Sequence, residues 1–185
     1  MTPIIGIIDS TKTGRLYAGS AYDSIATTTL TSSQNTVTFS NIPSTYKHLQ
    51  LRAIVRTDRA ADDKDSGNMR FNSDSGSNYS QKVLSSNTSS VVSSNTINQT
   101  SIPTILFGSA TSAAADVFGY SVVDIFDYAN TSKNKTVYSL TGGLLAQLQT
   151  GTWRNTNAIT SITLLPNVGT NFVANSRFAL YGIKG

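Results

Sequence analysis

The sequence predicts an all-β protein, an antiparallel β-sandwich of jelly-roll type with an extended N-terminal arm. Short runs of alternating apolar and polar residues recur along the chain, separated by Asn, Pro, Gly and Ser, as in antiparallel strands. No segment has a convincing amphipathic helical pattern, and many strands without helices are typical of a two-sheet sandwich. The 185 residues, of which 38% are hydrophobic and 13% charged, suffice for one domain with its own core.

Residues 1–20 differ from the rest of the chain and are interpreted as a docking arm that precedes a β-sandwich domain of residues 21–185. The arm carries an apolar patch formed by Ile4, Ile5, Ile7 and Ile8. Such a patch is unfavourable in water and is expected to be buried against a neighbouring subunit. An edge strand folded onto its own domain is the alternative interpretation.

Nine strands are predicted from Tyr22 onward, at residues 22–30, 35–40, 46–57, 68–72, 103–107, 116–128, 134–148, 159–165 and 176–183. In the run 46–57, alternation directs one set of side chains inward, namely Leu49, Leu51, Ala53 and Val55. The opposite set, His48, Gln50, Arg52 and Arg56, is directed outward. In the run 35–40, Val37 and Phe39 are expected to point inward.

The run 116–128 contains apolar residues at both parities, which predicts a central strand buried on both faces. Residues 144–149 are compatible with a short helix as well as a strand, and the Gly142–Gly143 pair before them marks a bend or bulge. Residues 58–67 and 85–101 are polar and are expected to be long loops.

The net charge is +4, but the basic residues are spread along the whole chain, whereas a nucleic-acid-binding protein concentrates them on one face. Nucleic acid is therefore not an expected partner. No apolar run approaches the length of a membrane span, so no membrane association is expected. The chain has no Cys, which excludes disulfides and thiolate metal sites.

No catalytic, cofactor-binding or metal-binding residues are predicted. His48 is the only histidine and lies on the polar side of a predicted strand. Oxygen ligands gather around Asp58–Asp65 and Asn72–Asn78, but neither segment fits the calcium-binding loop pattern, and a calcium ion there is left open. Asp124 lies within an apolar run and is expected to form a buried ion pair with Arg52 or Arg56.

Four segments of the chain, taken in order, resemble a recurrent class of tailed-bacteriophage structural proteins: SAYDSIATTTL, TVTFSNIPSTYKHLQLRAIVRT, MRFNSDSGSNYS and WRNTNAITSITLLPNVGTNFVANSRFALYGIKG. The most specific parts are IPSTYKHLQLR and the closing FALYGIKG, and the polar segments 58–67 and 85–101 have no counterpart. The resemblance implies a β-sandwich component of the virion, of the head-decoration or tail-fibre-like kind. It brings no catalytic residues.

The expected function is therefore that of a non-enzymatic structural protein of a bacteriophage virion, most simply a capsid decoration or cement protein. The short chain lacks the long repeats of a fibre shaft. The alternative is a tail-fibre or receptor-binding module that recognises host surface glycans, and a carbohydrate-active enzyme is a third class that lacks an acid pair. The chain is expected to form a homotrimer and to bind other virion proteins such as the major capsid protein. The predicted interface comprises Ile4, Ile5, Ile7, Ile8, His48, Arg52 and Arg56.

Overall fold

The computed structural model describes residues 21–86 and 89–185, which form twelve β-strands. The strands are β1 Tyr22–Thr29, β2 Val37–Phe39, β3 His48–Val55, β4 Lys64–Phe71, β5 Tyr79–Ser86, β6 Val91–Gln99, β7 Ile102–Ser109, β8 Gly119–Phe126, β9 Lys135–Gly142, β10 Ala146–Trp153, β11 Ile162–Pro166 and β12 Arg177–Ile183. Within these two ranges there is no helix that is long and apolar enough to cross a membrane.

The strands form two antiparallel sheets. One has eight strands in the order β1-β12-β3-β8-β9-β10-β5-β6, and the other has four in the order β2-β11-β4-β7. The predicted all-β sandwich of jelly-roll type is confirmed. The predicted docking arm, with Ile4, Ile5, Ile7 and Ile8, lies outside the described residues.

The core lies between the two sheets, where strand alternation places every second side chain. Leu49, Leu51 and Val55 of β3 are fully buried there, as their alternation predicted. Val37 and Phe39 of β2 also point inward. These two stretches were predicted correctly because one face of each strand packs on the core and the other faces outward.

An aromatic cluster anchors one end of the core. The indole of Trp153 stacks on Tyr79 at a centroid distance of 6.3 Å and packs 5.6 Å from Phe71. Its Nε1 donates a hydrogen bond of 2.7 Å to Oδ2 of Asp74, so the buried N–H is satisfied. The cluster joins β4, β5 and β10, and thereby fixes the two sheets against each other.

The two predicted loops are shorter than expected. Residues 64–67 belong to β4, and most of the segment 85–101 forms β6. Strand β6 is the edge of the eight-stranded sheet, and nearly all of its side chains are exposed. A strand exposed on both sides has no alternation of buried and exposed positions, so its Ser- and Asn-rich sequence resembles a loop. The neighbouring strand β5 was not predicted for a similar reason, because only two of its side chains, Tyr79 and Gln81, are buried.

The predicted run 134–148 is two strands, β9 and β10, which pair through a tight hairpin. Residue Gly143 adopts a positive φ of 139°, which permits the reversal at this point. Residues 146–149 therefore belong to a strand rather than a short helix. Strand β8 is also not buried on both faces, because Tyr120 and Phe126 remain exposed while Val123 and Ile125 face the core.

A buried lysine closes the loops beside β9. The side chain of Lys135 is fully buried. Its Nζ donates to the backbone carbonyls of Asn130 (2.6 Å), Lys133 (3.0 Å) and Thr156 (2.9 Å). Burial lowers the pKa of Lys135, and the charge of Lys133 lowers it further. These three hydrogen bonds tie the β8–β9 loop to the segment that follows β10.

Candidate functional site

The outer face of the eight-stranded sheet, which points away from the four-stranded sheet, carries a row of apolar side chains in cross-strand register. Val122 of β8 lies opposite Leu140 of β9, Leu140 opposite Leu148 of β10, and Leu148 opposite Leu84 of β5. We call this row of four residues the apolar stripe. It crosses four adjacent strands and is about 14 Å long at the usual interstrand spacing.

The stripe is open to solvent. Leu84, Leu140 and Leu148 are 48%, 47% and 39% exposed, and a shallow depression of about 250 Å³ lies between them and Val91. Ile54 and Tyr120 extend the apolar surface at the other end and are equally exposed. This contiguous apolar patch is therefore the candidate site of interaction on the domain.

The stripe leads into a groove of about 270 Å³ across β12, β3 and β8. We call it the Arg52 groove, and its main lining residues are Arg52, Ile54, Tyr120, Val122, Arg177 and Tyr181. Tyr120 lies opposite Gly142 of β9 and close above it, since a Cβ at position 142 would come within 2.5 Å of the ring. The bare backbone of Gly142 therefore lets the tyrosine form one wall of the groove.

A chain of hydrogen bonds holds Arg52 in place. Gln50 Nε2 donates to Oδ1 of Asp124 at 2.8 Å, and Arg52 Nε donates to Oε1 of Gln50 at 2.8 Å. The guanidinium also lies 4.9 Å from the ring centroid of Tyr181 and 5.4 Å from that of Tyr22. Both contacts are within cation–π distance.

The expected buried ion pair between Asp124 and an arginine is wrong. Asp124 is only partly buried, and its partner is the neutral amide of Gln50, which lies directly opposite on β3. Asp124 is linked to Arg52 only indirectly, because Gln50 bonds to both, and Arg56 lies beyond the end of β3. The register of β3 against β8 decides the pairing, because a residue bonds first with the residue facing it across the strands.

Arg177 of β12 is the second cation of the groove. It is exposed and, among the described residues, it forms no hydrogen bond or ion pair. It lies opposite Ile54, while Ala179, two residues further on, lies opposite Arg52. The two arginines are therefore diagonal neighbours on one face, and they repel each other unless an anion lies between them.

His48 is the first residue of β3 and lies on the same face, four residues before Arg52. Its Nδ1 accepts a hydrogen bond of 3.0 Å from the backbone N–H of Asp127, and its ring packs edge-on against Phe126 at 5.5 Å. The carboxylate of Asp127 is paired with Lys133 and, at 3.0 Å, with Lys47. These hydrogen bonds lower the pKa of Asp127 to about 2.

Arg56 supports a loop. Its guanidinium donates to three backbone carbonyls, those of Ala113 (3.1 Å), Ala114 (2.8 Å) and Val117 (2.9 Å). Of the three polar residues predicted for the interface, Arg52 thus lines the groove, His48 lies in the Asp127 cluster, and Arg56 fixes the loop before β8. His48 and Arg52 lie on the same side of β3, Arg56 follows the strand, and the three residues do not form a single cluster.

The carboxylates considered for calcium have other partners. Asp58 accepts hydrogen bonds from Thr170 N (2.7 Å) and from Asn171 N and Nδ2 (2.8 and 2.7 Å), and Asp65 accepts one from Gly169 N (2.9 Å). Although burial acts to raise it, the hydrogen bonds from Asn171 and Thr170 lower the pKa of Asp58. These contacts attach the β3–β4 loop to the loop before β12.

The turn Asn72–Asn78 is organised in the same way. Asp74 accepts hydrogen bonds from Trp153, from Asn78 Nδ2 (2.9 Å) and from Gly76 N (2.8 Å). Burial acts to raise the pKa of Asp74, but the hydrogen bonds of Trp153 and Asn78 lower it. In the described part of the chain, no three acidic or histidine side chains are grouped as metal ligands.

Sequence reasoning missed most of this site. Leu84 falls in a stretch for which no element was predicted, and Leu148 ends the predicted strand 134–148, in a part also compatible with a short helix. Arg177 and Tyr120 were given no functional role. The available signal was an excess of large apolar residues at outward positions of the strands, for example Leu140 between Thr136 and Tyr138 on one side and Gly142 on the other. Only strand register shows that these residues adjoin one another.

No protein-family model and no curated protein sequence matches the chain. Among solved structures, it is similar to a double mutant of the alginate lyase Aly36B in complex with alginate tetrasaccharide (10% identity, 81% of this chain and 80% of that one, TM-score 0.31). It is also similar to the sialidase module CBM40 of Ruminococcus gnavus bound to α2,3 sialyllactose (10%, 88% and 95%, 0.36) and to a variant of congerin II (12%, 78% and 99%, 0.33). The likeness is one of sandwich architecture alone.

Proposed function

We propose that this chain is a non-enzymatic structural protein of a bacteriophage virion, of the capsid decoration or cement kind. The apolar stripe is the observation that supports an assembly role. A domain that works alone in water keeps its outer sheet faces polar, whereas this face offers leucines that gain free energy when another surface covers them. The virion setting rests on the resemblance of the four sequence segments to tailed-phage structural proteins.

The size of the face suits this role. Eight strands at the usual spacing, each about eight residues long, span about 34 Å by 26 Å, or about 900 Å². Stable protein interfaces bury about 800 Å² on each partner. One face of this sheet is therefore large enough to hold a neighbour such as the major capsid protein. A homotrimer remains our expectation for the oligomeric state.

The test is incorporation into particles. Particles from a culture that produces the chain are purified, washed with salt and analysed by mass spectrometry and cryo-EM. We expect the wild-type chain in the particles, and we expect Leu140→Lys/Leu148→Lys to reduce its amount at least about tenfold, since two charges would then be desolvated in the contact.

The matched control is Thr38→Lys/Thr163→Lys, which places two lysines on an equivalent cross-strand pair of the four-stranded sheet. We expect it to join particles like the wild type. Both variants should still melt cooperatively. Absence of the wild-type chain from particles would contradict the proposed function, and equal loss in both variants would contradict the role of the stripe.

The alternative is a tail-fibre or receptor-binding module that recognises host surface glycans. The observation that favours it is the group of tyrosines at the Arg52 groove, the exposed Tyr22 and Tyr120 and the half-buried Tyr181, because a tyrosine combines an apolar ring with a polar tip. Under this alternative, particles without the chain assemble normally but fail to adsorb to host cells. Under the decoration hypothesis, such particles adsorb normally but lose head stability.

A further inference from the structure

We propose that the Arg52 groove is a carboxylate-binding site that receives an acidic side chain from a second, different protein of the assembly. This inference rests on the proposed function, since it specifies the chemistry of the partner that covers the outer face of the eight-stranded sheet.

The first step is the supply of free donors. Arg52 uses only its Nε, in the bond to Gln50, and its two terminal nitrogens have no partner among the described residues. The guanidinium of Arg177 has no hydrogen-bond partner at any of its nitrogens among the described residues. A guanidinium presents paired N–H donors in a fork that matches the two oxygens of a carboxylate. The groove therefore has two such forks on one face.

The second step is preorganisation. Arg52 is held at its Nε by Gln50, which is itself held by Asp124, and its guanidinium lies against the rings of Tyr181 and Tyr22. An arginine that is already ordered loses less side-chain entropy when it binds. The three-residue network from Asp124 thus orients a cation without neutralising it.

The third step is size. The groove measures about 270 Å³, which is below the range of about 300–1,000 Å³ usual for sites that enclose a whole small molecule. It has room for one side chain. Its apolar lining, Ile54 and Val122, offers contact for the methylene groups of a glutamate, while the arginines meet its carboxylate. A glutamate side chain fits these dimensions, with its methylene groups on the apolar lining and its carboxylate toward the arginines.

The fourth step concerns the identity of the partner. Among the described residues, the cations at outward strand positions of the eight-stranded sheet are Arg52, Lys82 and Arg177. The one carboxylate at such a position, Asp124, already accepts a hydrogen bond from Gln50. A face-to-face contact with a second copy would bring like charges together, which disfavours that pairing. The complementary surface is one that combines acidic with apolar residues.

The test uses the full chain and two probe peptides, acetylated Val-Glu-Leu-Glu-Val and its isosteric control Val-Gln-Leu-Gln-Val. Binding is followed by NMR of the arginine Nε–H groups and the backbone amides of β3, β8 and β12. We expect the Glu peptide to shift the signals of Arg52 and Arg177 and to bind at least about tenfold more tightly than the Gln peptide. The preference should shrink as salt is raised.

Arg52→Gln and Arg177→Gln should each weaken Glu-peptide binding about tenfold. The control is Arg70→Gln, an arginine on the outer side of the four-stranded sheet whose Nε donates to Thr100 O at 3.0 Å, and this variant should stay within about twofold of wild type. Thermal melts of all three variants confirm folding. Equal binding of the two peptides, or unchanged binding by both groove variants, would overturn the inference.

Two further experiments test other ligands of the Arg52 groove, an acidic glycan and a second copy of the chain. Binding of tetraglucuronate in the groove with no binding of the Glu peptide would overturn the protein partner in favour of an acidic glycan. Self-association in sedimentation experiments that Leu140→Lys/Leu148→Lys abolishes would overturn the choice of a different protein.

Particle experiments keep this inference distinct from the proposed function. Normal incorporation of Arg52→Gln/Arg177→Gln, with loss of Leu140→Lys/Leu148→Lys, would refute the groove as a contact and leave the virion role standing. Specific Glu-peptide binding by a chain that never joins particles would support the groove and refute the virion role.

Discussion

The outer faces of the two sheets differ in what they present to solvent. The four-stranded sheet presents Thr38, Thr163, Asn68 and Arg70, and the two threonine hydroxyls lie 3.3 Å apart across the strands. The eight-stranded sheet presents the apolar stripe and the Arg52 groove. Of the thirteen exposed large hydrophobic residues in the described part of the chain, ten lie on strands of the eight-stranded sheet and none on the other.

This difference is informative because both faces belong to the same sandwich and cover the same core. The core requires only that the inward positions be apolar, and it leaves the outward positions free. A polar outer face is the default for a sheet that stays in water. The fold does not require the apolar outer face, and this is why we propose contact with another surface for it.

The largest expected effect comes from exchanging the character of the two faces. Leu84→Thr/Leu140→Thr/Leu148→Thr should make the isolated protein elute much earlier from a hydrophobic-interaction column. Thr38→Val/Thr163→Val should make it elute later. Because these side chains remain substantially exposed, the unfolding free energy should change by no more than about 1 kcal/mol per substitution.

If the threonine variant elutes like the wild type, the leucines are covered within the chain itself and the comparison fails. Loss of cooperative unfolding would show the same, because it would mean that the stripe is part of the core.

A smaller effect is expected for the network that orients Arg52. Asp124→Ala removes the acceptor for Gln50 and should cost about 1 kcal/mol in denaturant unfolding, well below the loss expected for a buried ion pair. Asn68→Ala is the matched control on the other sheet, because Asn68 Oδ1 accepts one hydrogen bond of 3.0 Å from Thr104 N.

The two variants should be destabilised to a similar degree, but only Asp124→Ala should weaken Glu-peptide binding. Asp124→Asn keeps an acceptor oxygen and should restore that binding. A loss of several kcal/mol in Asp124→Ala would instead indicate a buried charge left without a partner.

The smallest effect concerns the polar border of the apolar face, where Lys133 and Lys47 lower the pKa of Asp127 to about 2. The folded-state pKa lies below the ordinary value of 3.8, so the carboxylate stabilises the fold above about pH 4. That contribution is lost as the pH falls toward 2. Asp127→Asn should therefore be less stable than wild type at neutral pH, with the difference disappearing toward pH 2.

The measurement is thermal unfolding of both proteins from pH 7 to pH 2 at low salt, because salt screens exposed ion pairs. A difference that persists unchanged at pH 2 would show that the asparagine acts through packing rather than through charge.

How far the sequence predicted this molecule depends on which residues carried a pattern. Strands such as β3 were predicted because their inward apolar residues, here Leu49, Leu51 and Val55, alternate with outward residues. Strand β6 was missed because an edge strand exposed on both sides has no such alternation. Strands β9 and β10 were merged because Gly142 and Gly143 suggested a bend rather than a reversal.

The candidate site was less accessible for a related reason. Arg52 was singled out as an interface residue, but the residues around it come from strands far apart in the chain, such as Tyr120 and Arg177. Their adjacency is a property of register, which no local pattern contains. The same gap led to the wrong partner for Asp124, since the opposite position proved to be Gln50.

Lys135 has a consequence for chemical labelling. An acylating reagent that reaches lysine amines at the surface modifies the exposed Lys133. It does not modify Lys135, two residues further on, because three backbone carbonyls enclose the buried Nζ. Lys135 reacts only when the surrounding loops open, because opening exposes its amine to water and to the reagent. The ratio of modification at these two sites, followed over time by peptide mass spectrometry, is thus an internal clock for the opening of this end of the sandwich.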